Sequence, residues 1–240
     1  LGDLITDPGT VSYSLDSSRE WYRSTYAHST VLIGDSEQVE TSGYILISEH
    51  NSDYSMVVVG YNDSRFNAFV YRGIVVVPLD DSGLIIFDFI HVELGISTNI
   101  SRIFHFSEIF PESSFSNLST PPIPVVIDKY TDLKSKNVVH ESFHQFNHNL
   151  GINTYSSLWI NGGDELFTGF SESSDLMVLQ RSEVVNSSHT FLTFHHIGND
   201  DTTFDSKSIQ FNRTAHAVIF PIGEKMHQFM WNGSKLEHSI

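Results

Sequence analysis

The residues of this chain that could do chemistry gather near its N-terminus. Asp7 lies in Asp7-Pro8-Gly9, a tight turn after the apolar Leu4-Ile5 pair. Arg23 and His28 precede an apolar run, 30–33, that Gly34-Asp35 closes. An aspartate and a histidine brought together on neighbouring strands either share a divalent metal or hydrogen-bond to each other. Tyr13 and Tyr22 flank the same stretch. A tyrosine works as a base only where its pKa is lowered, and a cation such as Arg23 can lower it. The alternative is that both tyrosines are sheet-edge aromatics and Arg23 pairs with an acid such as Glu20.

Other histidines are less promising. His140, His144 and His148 recur every four residues, a spacing that aligns metal ligands on a helix. The neighbouring Val138-Val139 and the aromatics Phe143 and Phe146 favour a strand, so these read as ordinary strand histidines. His195 and His196 are adjacent and would point to opposite faces of a strand. No nucleophile motif and no phosphate-cradling glycine loop occurs. There are no cysteines, which excludes disulfides and thiolate chemistry. Six Asn-x-Ser/Thr sequons, at Asn62, Asn99, Asn117, Asn186, Asn212 and Asn232, suggest a secreted protein with glycans, or a periplasmic one without them.

The elements that must position these residues are strands. Short apolar runs rich in β-branched and aromatic residues recur between Gly, Asn, Asp, Ser and Pro. They include 44–47, 56–61, 66–71, 74–79, 84–92, 100–106, 138–146, 176–179, 191–196 and 215–221. Turn chemistry at 80–83 and 161–164 predicts hairpins there. No helix longer than two turns is expected. The predicted fold is all-β: an antiparallel, many-stranded β-sandwich over residues 1–240. The Ser/Pro-rich segment 111–124 is either a break between two stacked sub-domains or a loop between sheets, and the loop is the better reading. The net charge of −16 argues against nucleic-acid and polybasic membrane partners. It also requires that any contact with a polyanion rest on a local cation or a separate basic domain.

The N-terminal pattern resembles the signature of the heparinase II/III-like polysaccharide lyases. In those proteins an apolar strand runs into Asp-Pro-Gly-Thr with a nearby Tyr. An Arg-Ser/Thr-x-Ala-His-Asn-Thr-Val stretch and a Gly-x-x-Gln-type turn follow. Here these are Asp7-Pro8-Gly9-Thr10 with Tyr13, then Arg23 to Val31 with Ala27-His28-Ser29, and Gly34 with Gln38. Ser29 stands where Asn is usual, and Val11 where a first Tyr often sits. The drift continues through Tyr71-Arg72-Gly73 and Ile103-Phe104-His105-Phe106.

The resemblance implies a C-terminal β-sandwich that packs on an N-terminal (α/α) toroid. The whole would cleave a uronic-acid polysaccharide, of glycosaminoglycan or alginate type, by β-elimination. It implies zinc held by Asp7, His28 and a third histidine upstream of residue 1. It makes Tyr13, and more weakly Tyr22 and Arg23, the residues that reach the cleft. The isolated chain is expected to be inactive. Two other functions stay open, a uronyl C5-epimerase portion and a non-catalytic carbohydrate-binding or structural sandwich, the latter favoured mildly by Ser29.

Overall fold

Dense β-branched and aromatic sequence makes nearly every described segment a strand. The computed structural model describes residue 7 and residues 17–79, 83–106, 115–116, 123–124, 131–136, 142–149, 153–161, 165–170, 176–199, 210–212, 217–222, 225–232 and 236–240. Helix α1 (Ser17–Arg23) leads into a 3-10 turn, Thr25–Ala27. The first strands are β1 (Val31–Ile33), β2 (Tyr44–His50), β3 (Ser55–Asp63), β4 (Ala68–Leu79), β5 (Gly83–Glu93) and β6 (Thr98–Phe106). Then come β7 (Phe115–Ser116), β8 (Ile123–Pro124), β9 (Thr131–Lys136), β10 (Ser142–Asn149), β11 (Asn153–Asn161) and β12 (Glu165–Phe170). The last are β13 (Leu176–Val185), β14 (Ser188–Asn199), β15 (Gln210–Asn212), β16 (Ala217–Ile222), β17 (Lys225–Trp231) and β18 (Leu236–Ser239).

They form three sheets. The central one has eight strands in the order β2-β3-β4-β5-β14-β11-β10-β7. A six-stranded sheet runs β1-β6-β13-β12-β9-β8, and a four-stranded sheet runs β15-β16-β17-β18. The antiparallel sandwich expected from the sequence is the observed architecture, with the small sheet as a third layer. Val31, Ile33, Ile100 and Val185 of the six-stranded sheet pack on Ala68, Val70, Ile90, Val92 and Phe191 of the central one. On its other face, Val75, Val77, Ile85, Phe87, Phe89, Leu192 and Phe194 form a second core with Phe229 of the small sheet. Burial on both faces explains why 84–92 is a nearly unbroken apolar run rather than an alternating one.

Two local expectations resolve differently. The runs 66–71 and 74–79 are one strand, β4, because Arg72-Gly73 continues the ladder opposite Phe89-Ile90. Segment 161–164 does not join a hairpin: β11 belongs to the central sheet and β12 to the six-stranded one, so the chain changes layers there. The hairpin at 80–83 does form, between β4 and β5. Strands from either side of 111–124 are neighbours, β5 beside β14 and β6 beside β13, so both large sheets draw on both halves of the chain.

Gly73 is where glycine is required by space. A Cβ there would stand 1.9 Å from the Phe89 ring, which crosses the Gly73 backbone in the core. Gly73→Ala is expected to cost about 1–3 kcal/mol by overpacking. Urea denaturation should show the loss, and a Phe89→Leu second change should recover part of it. Equal stability of Gly73→Ala and the parent would contradict this packing.

Candidate functional site

The site is built where α1, the 3-10 turn and β1 meet the edge of the central sheet. Trp21 and Tyr26 are buried and anchor the segment. The Tyr26 hydroxyl donates to the Asp35 carbonyl at 2.6 Å. The left-handed Gly34 (φ +63°) makes the tight turn after β1, with no room for a Cβ beside the Phe66 ring. This turn brings Glu37 and Gln38 back over the Thr25–Thr30 segment. The Thr25 amide donates to a Glu37 carboxylate oxygen at 2.5 Å, and the Gln38 amide donates to Thr25 Oγ1 at 2.7 Å.

Gln38 is the hub of this wall. Its Nε2 donates to the Tyr61 hydroxyl oxygen at 2.5 Å and to Thr30 Oγ1 at 3.3 Å, tying β3 to the loop before β1. Burial pushes the Tyr61 phenol well up, with the Gln38 hydrogen bond pulling the other way. Tyr61 is therefore a protonated hydrogen-bonding group at neutral pH and not a base. Around these residues lies a cavity of about 600 Å³, whose walls include Arg23, Thr25, His28, Gln38, Glu40 and Tyr61.

Of the residues singled out in the sequence, Asp7 and His28 do meet: His28 Nδ1 lies 2.7 Å from Asp7 Oδ2. Their side chains are 60% and 36% exposed, so the pair sits at the surface. Contact at Nδ1 holds the ring in place, and in the neutral imidazole with Nδ1 protonated it leaves the lone pair on Nε2. One carboxylate and one imidazole suit zinc in kind. Among the described residues, though, no cluster of three or more His, Cys, Asp or Glu could complete a shell.

Arg23 is exposed at the end of α1 and lines the cavity, with no ion pair among the described residues. Tyr22 is half-buried beside it and is not part of the cavity wall. Tyr13 lies outside the described residues. So does the sequon at Asn117, while Asn62, Asn186 and Asn232 are exposed and Asn99 is half-buried, its amide donating to Asp35. Asn212 is in β15. His144 and His148 are in β10 as expected of strand histidines, and His140 lies outside the described residues. His195 and His196 are both buried in β14, one toward each neighbouring layer.

Beneath the site is a charged cluster that motif reading missed. Arg72 on β4 grips Asp88 on β5 with two hydrogen bonds, Nη2 to Oδ2 at 2.6 Å and Nε to Oδ1 at 3.2 Å. Arg102 on β6 is fully buried, donates to Thr193 Oγ1, and lies over the Phe104 and Phe191 rings. Burial pushes its guanidinium down to about 9, with Asp88 opposing, so it remains charged at neutral pH. The signal for the pair was present: Arg72 and Asp88 are lone opposite charges in two apolar runs on either side of the 80–83 turn. Folding that hairpin sets Arg72 across from Ile90, one diagonal step from Asp88.

Residues 2–88 match the family model described as Heparinase II/III-like, C-terminal. No curated protein matches the sequence. Among solved structures, a mutant of the heparan sulfate lyase HepC from Pedobacter heparinus aligns with a TM-score of 0.60 at 13% identity, over 98% of this chain and 34% of that one. HepC itself aligns at 0.56 with 14% identity, over 98% and 35%. A heparinase III gene product aligns at 0.54 with 11% identity, over 98% and 34%. The chain thus spans about a third of the length of these structures, and it shares their β-sandwich fold. The resemblance read from the Asp-Pro-Gly and Ala-His motifs is borne out.

Proposed function

We propose that this chain, a relative of the heparinase II/III-like lyases, is the β-sandwich portion of an enzyme that cleaves a uronic-acid polysaccharide by β-elimination. It would work against an (α/α) toroid that supplies most of the cleft. The observation that carries the reading is the convergence of Arg23, His28, Gln38 and Tyr61 on one cavity beside the Asp7–His28 pair. In a chain of net charge −16, an exposed arginine there is the local cation that an acidic sugar needs. Arg23 would hold the uronate carboxylate and favour the charge that develops when the C5 proton leaves. Gln38 and the protonated Tyr61 would hydrogen-bond sugar hydroxyls.

Asp7 and His28 would hold zinc together with ligands from outside the described residues. Bound there, zinc supplies a fixed positive charge that stiffens this edge of the sandwich. Export, with glycans at the exposed Asn62, Asn186 and Asn232, fits a polymeric substrate outside the cell.

The test uses the protein at its native length on heparan sulfate, chondroitin, dermatan and alginate, following the ultraviolet absorbance of the unsaturated uronate product. Arg23→Ala should lower kcat/KM by about 10- to 100-fold, the worth of one charge-assisted contact. Residues 1–240 alone should give no turnover. Deuterium uptake at C5 without chain scission would replace the lyase by an epimerase. Sugar binding without either reaction would leave a binding sandwich.

A further inference from the structure

The loop that carries His28 is held from two sides by core residues. On β6, Arg102 and Phe104 meet the central sheet, so Ile103 and His105 face the other way. From that outer face, the buried His105 places Nε2 2.9 Å from the Tyr26 carbonyl oxygen, and its backbone amide donates to Ser29 Oγ at 3.0 Å. The Ile103 amide donates to the Thr30 carbonyl at 2.8 Å. From between the layers, Arg72 Nη1 donates to the Ser29 carbonyl at 2.6 Å while the rest of its fork grips Asp88. The carbonyls of Tyr26, Ser29 and Thr30 are thus all fixed, and His28 lies inside that span.

We infer that Arg72 and His105 are positioning residues for the Asp7–His28 site, with Asp88 orienting Arg72 and Ser29 serving as the shared acceptor. This rests on the proposed lyase reading only for its effect on turnover. Its physical basis is the planar guanidinium, whose divergent donors serve a carboxylate and a carbonyl at once, as a lysine ammonium at the end of a flexible stem does not. Ser29 fits the same scheme: a short hydroxyl accepts from the His105 amide at the position where a longer Asn is usual.

Arg72→Lys separates the two duties, since a lysine can keep its charge beside Asp88 but releases the Ser29 carbonyl. Two readouts are needed on the native-length protein: amide exchange, and the ring-nitrogen NMR shifts of His28. Exchange at Ala27 and His28 should rise at least about tenfold, with the central-strand amides of β4 and β5 unchanged. The His28 ring-nitrogen shifts should move as its contact with Asp7 loosens, and kcat should fall about tenfold with little change in KM. His105→Gln, which can keep a donor toward the Tyr26 carbonyl, should show a smaller version of each effect than His105→Leu. A uniform rise in exchange across the sheets, or an unaltered His28 ring, would overturn the positioning role and leave Arg72 a purely structural residue. A parent protein without lyase activity would sink the proposed function, while the exchange and ring signals would still decide this inference.

Discussion

Replacing Arg72 by methionine is expected to destabilise the fold by about 3–5 kcal/mol, the usual consequence of stranding one member of a buried ion pair. Asp88 is 3% exposed and lies between the two large sheets. Arg72 satisfies both of its oxygens. Without Arg72 the buried carboxylate would lose the hydrogen-bond partner of both its oxygens, which is costly. Arg102 also feels the Asp88 charge and offsets part of the loss, but it donates to Thr193 and lies over two phenylalanine rings. Urea denaturation of Arg72→Met, Asp88→Leu and the double variant measures this directly. The single changes should each be severe and the double variant should cost clearly less than their sum, since Arg72 and Asp88 pair with each other, while part of the loss persists because Arg102 loses the opposing charge of Asp88. Additive losses would mean that the pair is not coupled as described.

The second large effect is in pH. Burial pushes His195 down to about 4, against the opposing influence of Asp88 and with help from Arg102 and Arg72. The unfolded chain takes up a proton near pH 6.5, whereas the folded one resists until about pH 4. Between those values the unfolded state binds more protons, so stability falls as the pH falls, and it levels off below pH 4. The total is about 3 kcal/mol at 1.4 kcal/mol per pKa unit. His195→Leu should remove this component, so its stability curve between pH 6.5 and 4 should be flatter than the parent's by about that amount. Parallel curves for parent and variant would show that His195 is not held neutral in the core.

The sequence by itself determined the architecture and singled out the segment around Asp7 and His28. Strand-length apolar runs with β-branched residues admit few alternatives to an antiparallel sandwich. The motifs around Asp7 and His28 named two residues that the structure brings to 2.7 Å. Arg23 was singled out with them, as a cation just before an apolar run and beside Tyr22. Local composition and spacing carry that information because each concerns residues close together along the chain.

Tertiary structure alone decided what lies around them. Gln38 and Tyr61 are 23 residues apart and touch only because the turn at Gly34 folds back over β3. Residues Ser29 and Arg72 are 43 apart and His105 and Tyr26 are 79 apart. The layer change between β11 and β12 was equally hidden, since a Gly-Gly turn has the same composition whether it joins one sheet or two. In each case the outcome depends on which sheets stack and in what register. That choice is made by the burial of whole faces, a property of the assembled layers that no short window of sequence contains.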